Sequence, residues 1–278
     1  MALAERAPRW VENRPSDGWR AVDTAELWAY RELVWFVAWR DVKSRYKQAA
    51  LGVLWTVIRP VAGTAALILV FRRLAHVPSD GIPYAVFALA GWTAWSYLSG
   101  SVESVTGSIL VNGSLVTKVY FPRLVAPLAA VLPGLIDLVI ALAALAVLMA
   151  AMGVVPPAVV VLLPGCVVLL AVVALSIGLW LATLNVLYRD VGHAVGFALQ
   201  LWFFATPVAY PASLVHGPAR LAYALNPAAG AIEAFRAVLV GGPLRADELV
   251  VSLITTGLLL VGGLACFQRL ERRFPDVI

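Results

Sequence analysis

The chain has 278 residues, of which 62% are hydrophobic and 13% charged, with a net charge of +5 and a mean hydropathy of +0.87. Soluble domains carry roughly 25% charged residues, so this composition excludes a soluble globular surface. It also excludes a nucleic-acid face, because no basic cluster interleaves with aromatic residues.

Several apolar runs approach the roughly 20 residues that cross about 30 Å of hydrocarbon, without the strand alternation of a barrel. The expected fold class is therefore an all-α polytopic membrane protein. Residues 1–25 contain Pro8, Pro15 and several charges but no apolar core. They are expected to form a cytosolic tail, not a signal peptide.

Residues 26–48, ELWAYRELVWFVAWRDVKSRYKQ, set Leu27, Tyr30, Val34 and Val37 at helical spacing beside Arg31, Glu32, Arg40, Asp41 and Lys43. Such a run is too polar to span. With Trp28, Trp35 and Trp39 suited to the headgroup layer, it predicts an amphipathic interface helix along the membrane surface. The other reading is a cytosolic helix packed on a partner.

Residues 49–268 read as one transmembrane domain with six crossings, near 51–71, 84–100, 124–152, 158–184, 194–208 and 249–267; residues 269–278 form a C-terminal tail. Pro60 bends the first span. The third is long enough that it must tilt or break, and Pro127, Pro133 and Gly134 favour a break near its start. Within 210–243, Asn226 and Pro227 open an apolar run too short to cross, which predicts a re-entrant or interfacial piece.

Six crossings put both termini on one side, and charge selects the side. Fifteen Lys and Arg residues fall on the side of the termini, against Arg72, Arg73, Arg220, Arg236 and Arg245 on the other, with Arg59 inside a span. By the positive-inside rule both termini are cytosolic, and so is the polar island 112–123, NGSLVTKVYFPR.

No phosphate-cradling G-x-x-x-x-G-K-[ST] occurs, nor H-E-x-x-H or G-x-S-x-G. His76, His193 and His216 are scattered over different links. Cys166 and Cys266 lie in apolar runs and read as small buried hydrophobes. No catalytic or metal site and no cofactor is expected on this chain, and it is not expected to be an enzyme.

Four motifs arrive in one order: NGSLVTKVYFPR, LNVLYRDV at 184–191, QLWFFATPVAYP at 200–211 and LNPAAGAIEAFR at 225–236. Together they resemble the membrane subunit of bacterial ABC-2-type polysaccharide exporters, the family of O-antigen, teichoic-acid and capsule export permeases. The resemblance implies a multi-pass homodimer in the plasma membrane, working with two copies of a separate ATPase that binds ATP and Mg. It also implies a lipid-linked polysaccharide as cargo. The rival readings are an ABC-2 permease for drugs or lipids, and a membrane-embedded enzyme or assembly factor.

The resemblance makes 112–123 a coupling helix between spans two and three, docked on the ATPase. It assigns Thr117, Lys118, Tyr120, Phe121 and Arg123 to that contact. Arg189, in the link before the fifth span, could reach the ATPase as well, or could sit with Asp190 at a capped helix start. Tyr84, Phe87, Trp92, Trp95, Tyr97, Trp202, Phe203 and Phe204 are expected along a translocation path, where rings can stack on sugar faces; core packing is the competing role. Trp92 and Trp95 are three apart and share a helix face.

Charges inside spans are candidates for function. Arg59 either snorkels or meets the pyrophosphate of a lipid carrier. Asp137 is not matched in depth with Arg59. Glu233 and Arg236, three apart, could neutralise each other in the re-entrant segment, which the resemblance makes a pair of short outer helices acting as an external gate.

Overall fold

The computed structural model describes residues 24–47, 52–217, 219–242, 244–271 and 274, and of the side chains in 52–59 only that of Ile58. Most of the two expected tails lies outside these residues. Among the described residues every regular element is helical.

The interface stretch forms two helices, α1 (Thr24–Ala29) and α2 (Arg31–Lys47), separated by a turn at Tyr30. Next comes α3 (Gly52–Leu67), with Pro60 inside it, continuing as a π-helical segment over Ile68–Leu74. Arg72 and Arg73 therefore stand on helix, not in the expected external link. The central element is α4 (Tyr84–Val111), 28 residues long and so about 42 Å at 1.5 Å per residue.

The span expected over 84–100 ends where serines, threonines and glycines accumulate. The helix continues because the hydroxyls bond back within it. Thr106 Oγ1 donates to the Val102 carbonyl at 2.7 Å, and Ser108 Oγ to Val105 at 2.7 Å. Their polarity costs the helix little.

The polar island becomes the short α5 (Gly113–Lys118). The long third run does break, into α6 (Val125–Val131) and α7 (Gly134–Ala151). Pro127 sits in the first turn of α6, where its missing N–H would have had no helical partner. A 3-10 turn at Ala158–Leu162 leads into α8 (Leu163–Leu187), followed by α9 (Asp190–Phe204). The chain closes with α10 (Ala219–Ala224), α11 (Pro227–Val240) and α12 (Ala246–Leu270).

Three stretches among the described residues are long and apolar enough to cross a membrane: Val125–Ala151, Ala158–Leu187 and Ala246–Leu270. The protein is a helical, multi-pass membrane protein.

The bundle is built around α4, which packs most extensively on α8 and then on α6, α7 and α11. Gly178 permits the α4–α8 approach, since a Cβ there would lie 2.5 Å from Val105 Cγ1. Small residues at helix crossings are the usual means of close packing where lipid supplies no hydrophobic drive. Asn185 of α8 adds a polar tie, donating from Nδ2 to the Thr106 carbonyl at 3.1 Å. At one end of this core lie α2 and α5; at the other lie α10 and α11.

Candidate functional site

At the α2 end, α2 is held against the bundle by named contacts. Val37 and Ala38 bury with Ala129 of α6. Arg40 donates to Asp41 and, at 2.7 Å, to the Asn112 side chain, and Asn112 Nδ2 donates to the Ser108 carbonyl at 2.8 Å. The end of α4 is thereby joined to α2, and α5 starts from a fixed point.

Along 112–123 the side chains divide. Phe121 is buried with Val116 and Val125 against Leu27 of α1, Tyr30 of the turn, and Leu33 and Val34 of α2. Thr117, Lys118 and Tyr120 are exposed and Arg123 is half-buried. Tyr120 is 60% exposed and Phe121 5%, so only the first of these adjacent rings is free for a partner. Arg189 is also exposed, immediately before α9.

Beside α4 lies a cleft of about 630 Å³, bounded by the end of α2, by Pro60 of α3 and by the start of α7. Asp137 projects to its edge from the first turn of α7 and meets the last turns of α2. Arg45 Nη1 lies 3.1 Å from Asp137 Oδ2, and Tyr46 donates its phenol to Asp137 Oδ1. Arg45 Nη2 donates to Ser104 Oγ at 3.1 Å. Burial, and after it the hydrogen bond to Asp137, raises the Tyr46 phenol above its ordinary value, which keeps the proton on the donor.

The partner of Asp137 is therefore Arg45, which sequence reasoning missed because it assigned α2 to the surface and sought a cation among the spans. Arg59 lies on α3 and its side chain falls outside the described residues. Glu103 and Ser104 were missed too. Their spacing from Ser96 and Gly100, on one face of a helix, is the signal that was present.

The aromatic residues of α4 and α9 do come together. Trp92 and Trp95 both meet Phe203 edge to face, each at 5.7 Å, and Trp95 meets Trp202 at 5.6 Å. Tyr84, Phe87, Trp95 and Tyr97 are buried, Trp92, Trp202 and Phe203 are half-buried, and Phe204 is exposed. Trp92 and Tyr97 also line the cleft.

Tyr84 and Phe87 have packing roles at the other end. Tyr84 donates to the Ala209 carbonyl at 2.8 Å, and Phe87 lies under the Arg236 guanidinium at 3.9 Å.

At the α11 end, Glu233 and Arg236 are not paired with each other, contrary to expectation. Arg236 Nη2 donates to the Pro207 and Val208 carbonyls at 2.6 and 3.0 Å. Glu233 accepts from the Ala212 N–H at 3.2 Å. The chain after α9 leaves its helix at 205–211, and its freed carbonyls take the guanidinium before a carboxylate can. Gly91 of α4 makes room for this; a Cβ there would collide with the guanidinium and lie 2.6 Å from the Val208 oxygen.

Asn226, the expected start of α11, accepts from Ala228 N and from Trp202 Nε1, each at 3.1 Å, and donates to Ala205 and Thr206. Glu248 accepts from Arg220 at 2.7 Å and from Arg245 at 3.0 Å. Among the described residues no group of His, Cys, Asp and Glu has the arrangement of a metal site.

Comparison with known proteins agrees with this architecture. The ABC-2 type transporter family pattern matches residues 32–240. The chain belongs to the ABC-2 type transporter family. The match begins in α2 and ends at the last residue of α11, so it takes in the cleft, the aromatic cluster and the Arg236 contacts.

Among members of this family, the chain is 33% identical over 256 residues to the O-antigen export system permease protein RfbA of Myxococcus xanthus, covering 91% of this chain and 98% of that protein. It is 24% and 26% identical to two proteins of the same name from Klebsiella pneumoniae, in each case over 86% of this chain and 92% of the relative. As an ABC-2 family member the chain is a transporter membrane subunit and not a catalytic one.

Proposed function

We propose that the chain is the membrane-spanning subunit of an ATP-driven transporter that exports lipid-linked polysaccharide across the plasma membrane from its cytosolic side. The cargo is an O-antigen or a comparable envelope glycan, with teichoic acid in the same class. The observation that carries this reading is the 33% identity along 98% of the Myxococcus xanthus O-antigen export permease. A likeness of that extent covers a whole subunit, not one shared segment.

In this reading α3 with its π-helical extension, α4, α6–α7, α8, α9 and α12 are six crossings, with both termini cytosolic. The excess of basic residues on the side of the termini supports that orientation. Two copies of the chain form a homodimer and bind two ATPase subunits, which hold ATP and Mg. α5 is the coupling helix; exposed Thr117, Lys118 and Tyr120 contact the ATPase with Arg123 and Arg189, while buried Phe121 fixes the segment to α1 and α2. ATP acts on the permease only through contacts that differ between two states, and a segment joined to both α2 and α4 suits that task. Arg59, Glu233 and Arg236 remain assigned to headgroup contact or gating. The Trp92, Trp95, Trp202 and Phe203 cluster, with Phe204 beside it, borders the path.

The test is a chromosomal deletion in the native cell, combined with affinity purification of the tagged chain. Lipid-linked glycan is expected to accumulate inside the deleted cells and to vanish from their surface. The tagged chain is expected to bring down an ATP-hydrolysing subunit in equal amount. Unchanged surface glycan, with loss instead of the efflux of a small hydrophobic dye, would assign the chain to a drug or lipid permease.

A further inference from the structure

The cleft beside α4 has a composition that a lipid-facing helix would not carry. Trp92, Ser96, Ser99 and Glu103 follow one another at helical spacing, and Ser96 and Glu103 are exposed in the single chain. A carboxylate and hydroxyls on a membrane helix face an aqueous cavity or a polar ligand, not hydrocarbon. The charges in the cleft decide which ligand.

Among its described lining side chains are one guanidinium, of Arg45, and two carboxylates, of Asp137 and Glu103. Arg45 is already committed to Asp137 and to Ser104. Glu103 has neither ion pair nor hydrogen bond among the described residues. Its Oε1 reaches toward α9, 3.8 Å from where a Cβ on Gly196 would sit. Among the described side chains, the charge left free in the cleft is therefore negative.

We propose that this cleft is a binding station for uncharged sugar, in which Glu103 and the α4 serines take hydroxyl groups and the Trp92 ring meets an apolar sugar face. The same free carboxylate makes Glu103 a specificity residue, one that turns away glycans bearing phosphate or carboxylate. The inference rests on the export reading only for the nature of its ligand. It narrows that reading, because a phosphodiester-linked teichoic acid is disfavoured against a neutral O-antigen.

The experiment uses the full chain with its ATPase in inside-out membrane vesicles, carrying Ser96→Cys or, in a second variant, Ser99→Cys. Each is labelled with a cationic and with an anionic methanethiosulfonate of similar size. Rates are divided by those with free cysteine, after subtraction of labelling at the native cysteines. Labelling needs neither ATP nor cargo, so its outcome is independent of whether the chain exports glycan.

The cationic reagent is expected to be preferred by about tenfold, the lower end of field-driven rate effects in a charged cleft. Glu103→Gln is expected to bring the ratio close to one. Maltoheptaose is expected to slow both reagents, and a heparin oligosaccharide of equal length is not. Absence of labelling at both positions would overturn the cleft as an aqueous station. Equal normalised rates, or a preference that survives Glu103→Gln, would overturn the role of Glu103. Protection by heparin and not by maltoheptaose, or by neither, would overturn uncharged sugar as the occupant.

Discussion

The two ends of the α4 bundle treat their polar groups in opposite ways. At the α11 end, most buried and half-buried polar side chains are used on the protein itself: Arg236 on two carbonyls and a ring, Asn226 on α9 and on its own helix, Glu248 on two arginines, with Tyr223 Oη and Arg236 Nε left without a partner. At the α2 end, hydroxyls and the Glu103 carboxylate face a cleft of about 630 Å³, and the ion pair at its edge is itself partly exposed. In a low-dielectric surrounding an unsatisfied polar group is costly. The first arrangement therefore stabilises a closed end, and the second keeps polar groups free for water or a ligand. A protein that moves a polar chain through a bilayer needs both conditions, at different places along one path.

The contrast breaks most directly at Arg236. Arg236→Leu would leave the Pro207 and Val208 carbonyls without their donor and the Phe87 face without its cation. A hydrogen bond to a charged group contributes about 1.5–3 kcal/mol, so the expected loss is roughly 3–6 kcal/mol for the pair, set by how far water can enter. Thermal unfolding of the purified protein in one detergent measures it. Arg236→Lys is expected to recover part of the loss, because one ammonium can still donate to the two carbonyls that Nη2 serves but does not stack flat on the Phe87 ring. If the leucine variant melts like the parent, the α11 end is not closed by this residue.

Next in size is Phe121→Ala at the α2 end. Phe121 is 5% exposed within the cluster of Val116 and Val125, and truncating a buried Phe costs about 3–5 kcal/mol in a rigid core. At the rim of a bundle, where α1 can collapse onto the gap, the lower figure is expected. Cleavage by trypsin within α1 and α2 should rise in parallel with the fall in melting temperature. Loss of stability with unchanged proteolysis would separate Phe121 from the seating of α1 and α2.

How much of this was legible in the sequence depends on the range of the interaction involved. Breaks set by local chemistry were readable: the interruption at Pro133, the cap of α11 at Asn226 and Pro227, and the polar island that became α5. The extension of α4 to Val111 was not, because serine and threonine read as helix-ending until one sees their hydroxyls returned to the helix's own carbonyls. The Arg45–Asp137 pair joins residues 92 apart; periodicity has no access to such a contact. Proximity in sequence misled at Glu233 and Arg236, whose three-residue spacing suggested a pair. The unwound backbone at 205–211, itself signalled by Pro207 and Pro211, claimed the guanidinium instead.

The Arg45–Asp137 contact sharpens the comparison by being weak. With side chains 43% and 36% exposed, the pair is screened by water and is expected to contribute no more than about 1 kcal/mol. Asp137→Asn should therefore shift the melting temperature by only a few degrees, far less than Arg236→Leu. Tyr46 keeps an acceptor in the amide oxygen, whereas Arg45 loses its charge partner. The measurable consequence is at the cleft: cysteine labelling at Ser96 should lose part of its preference for a cationic reagent, since one of the two carboxylates is gone. A melting shift as large as that of Arg236→Leu would mean that the two ends are built alike.

The smallest effect on stability and the sharpest on function are expected together at Tyr120. Its ring is 60% exposed, with Val119 beside it 53% exposed, so truncation removes almost no internal contact. Tyr120→Ala should leave the melting temperature within the change expected of about 0.5 kcal/mol, the range for exposed substitutions. If the ring is an anchor in a groove of the ATPase, the same substitution costs about 2 kcal/mol or more of association, as truncation of a buried aromatic anchor does at protein interfaces. That corresponds to roughly a thirtyfold weaker complex, because each 1.4 kcal/mol is tenfold. Co-purification of ATPase with the tagged permease, read against salt concentration, measures the loss. Lys118 and Arg123 steer approach more than they hold the complex, so neutralising them should flatten the salt dependence while Tyr120→Ala lowers the yield at every salt. An unchanged yield with Tyr120→Ala would move the docking surface elsewhere and leave the exposed ring of 112–123 as a membrane-surface contact.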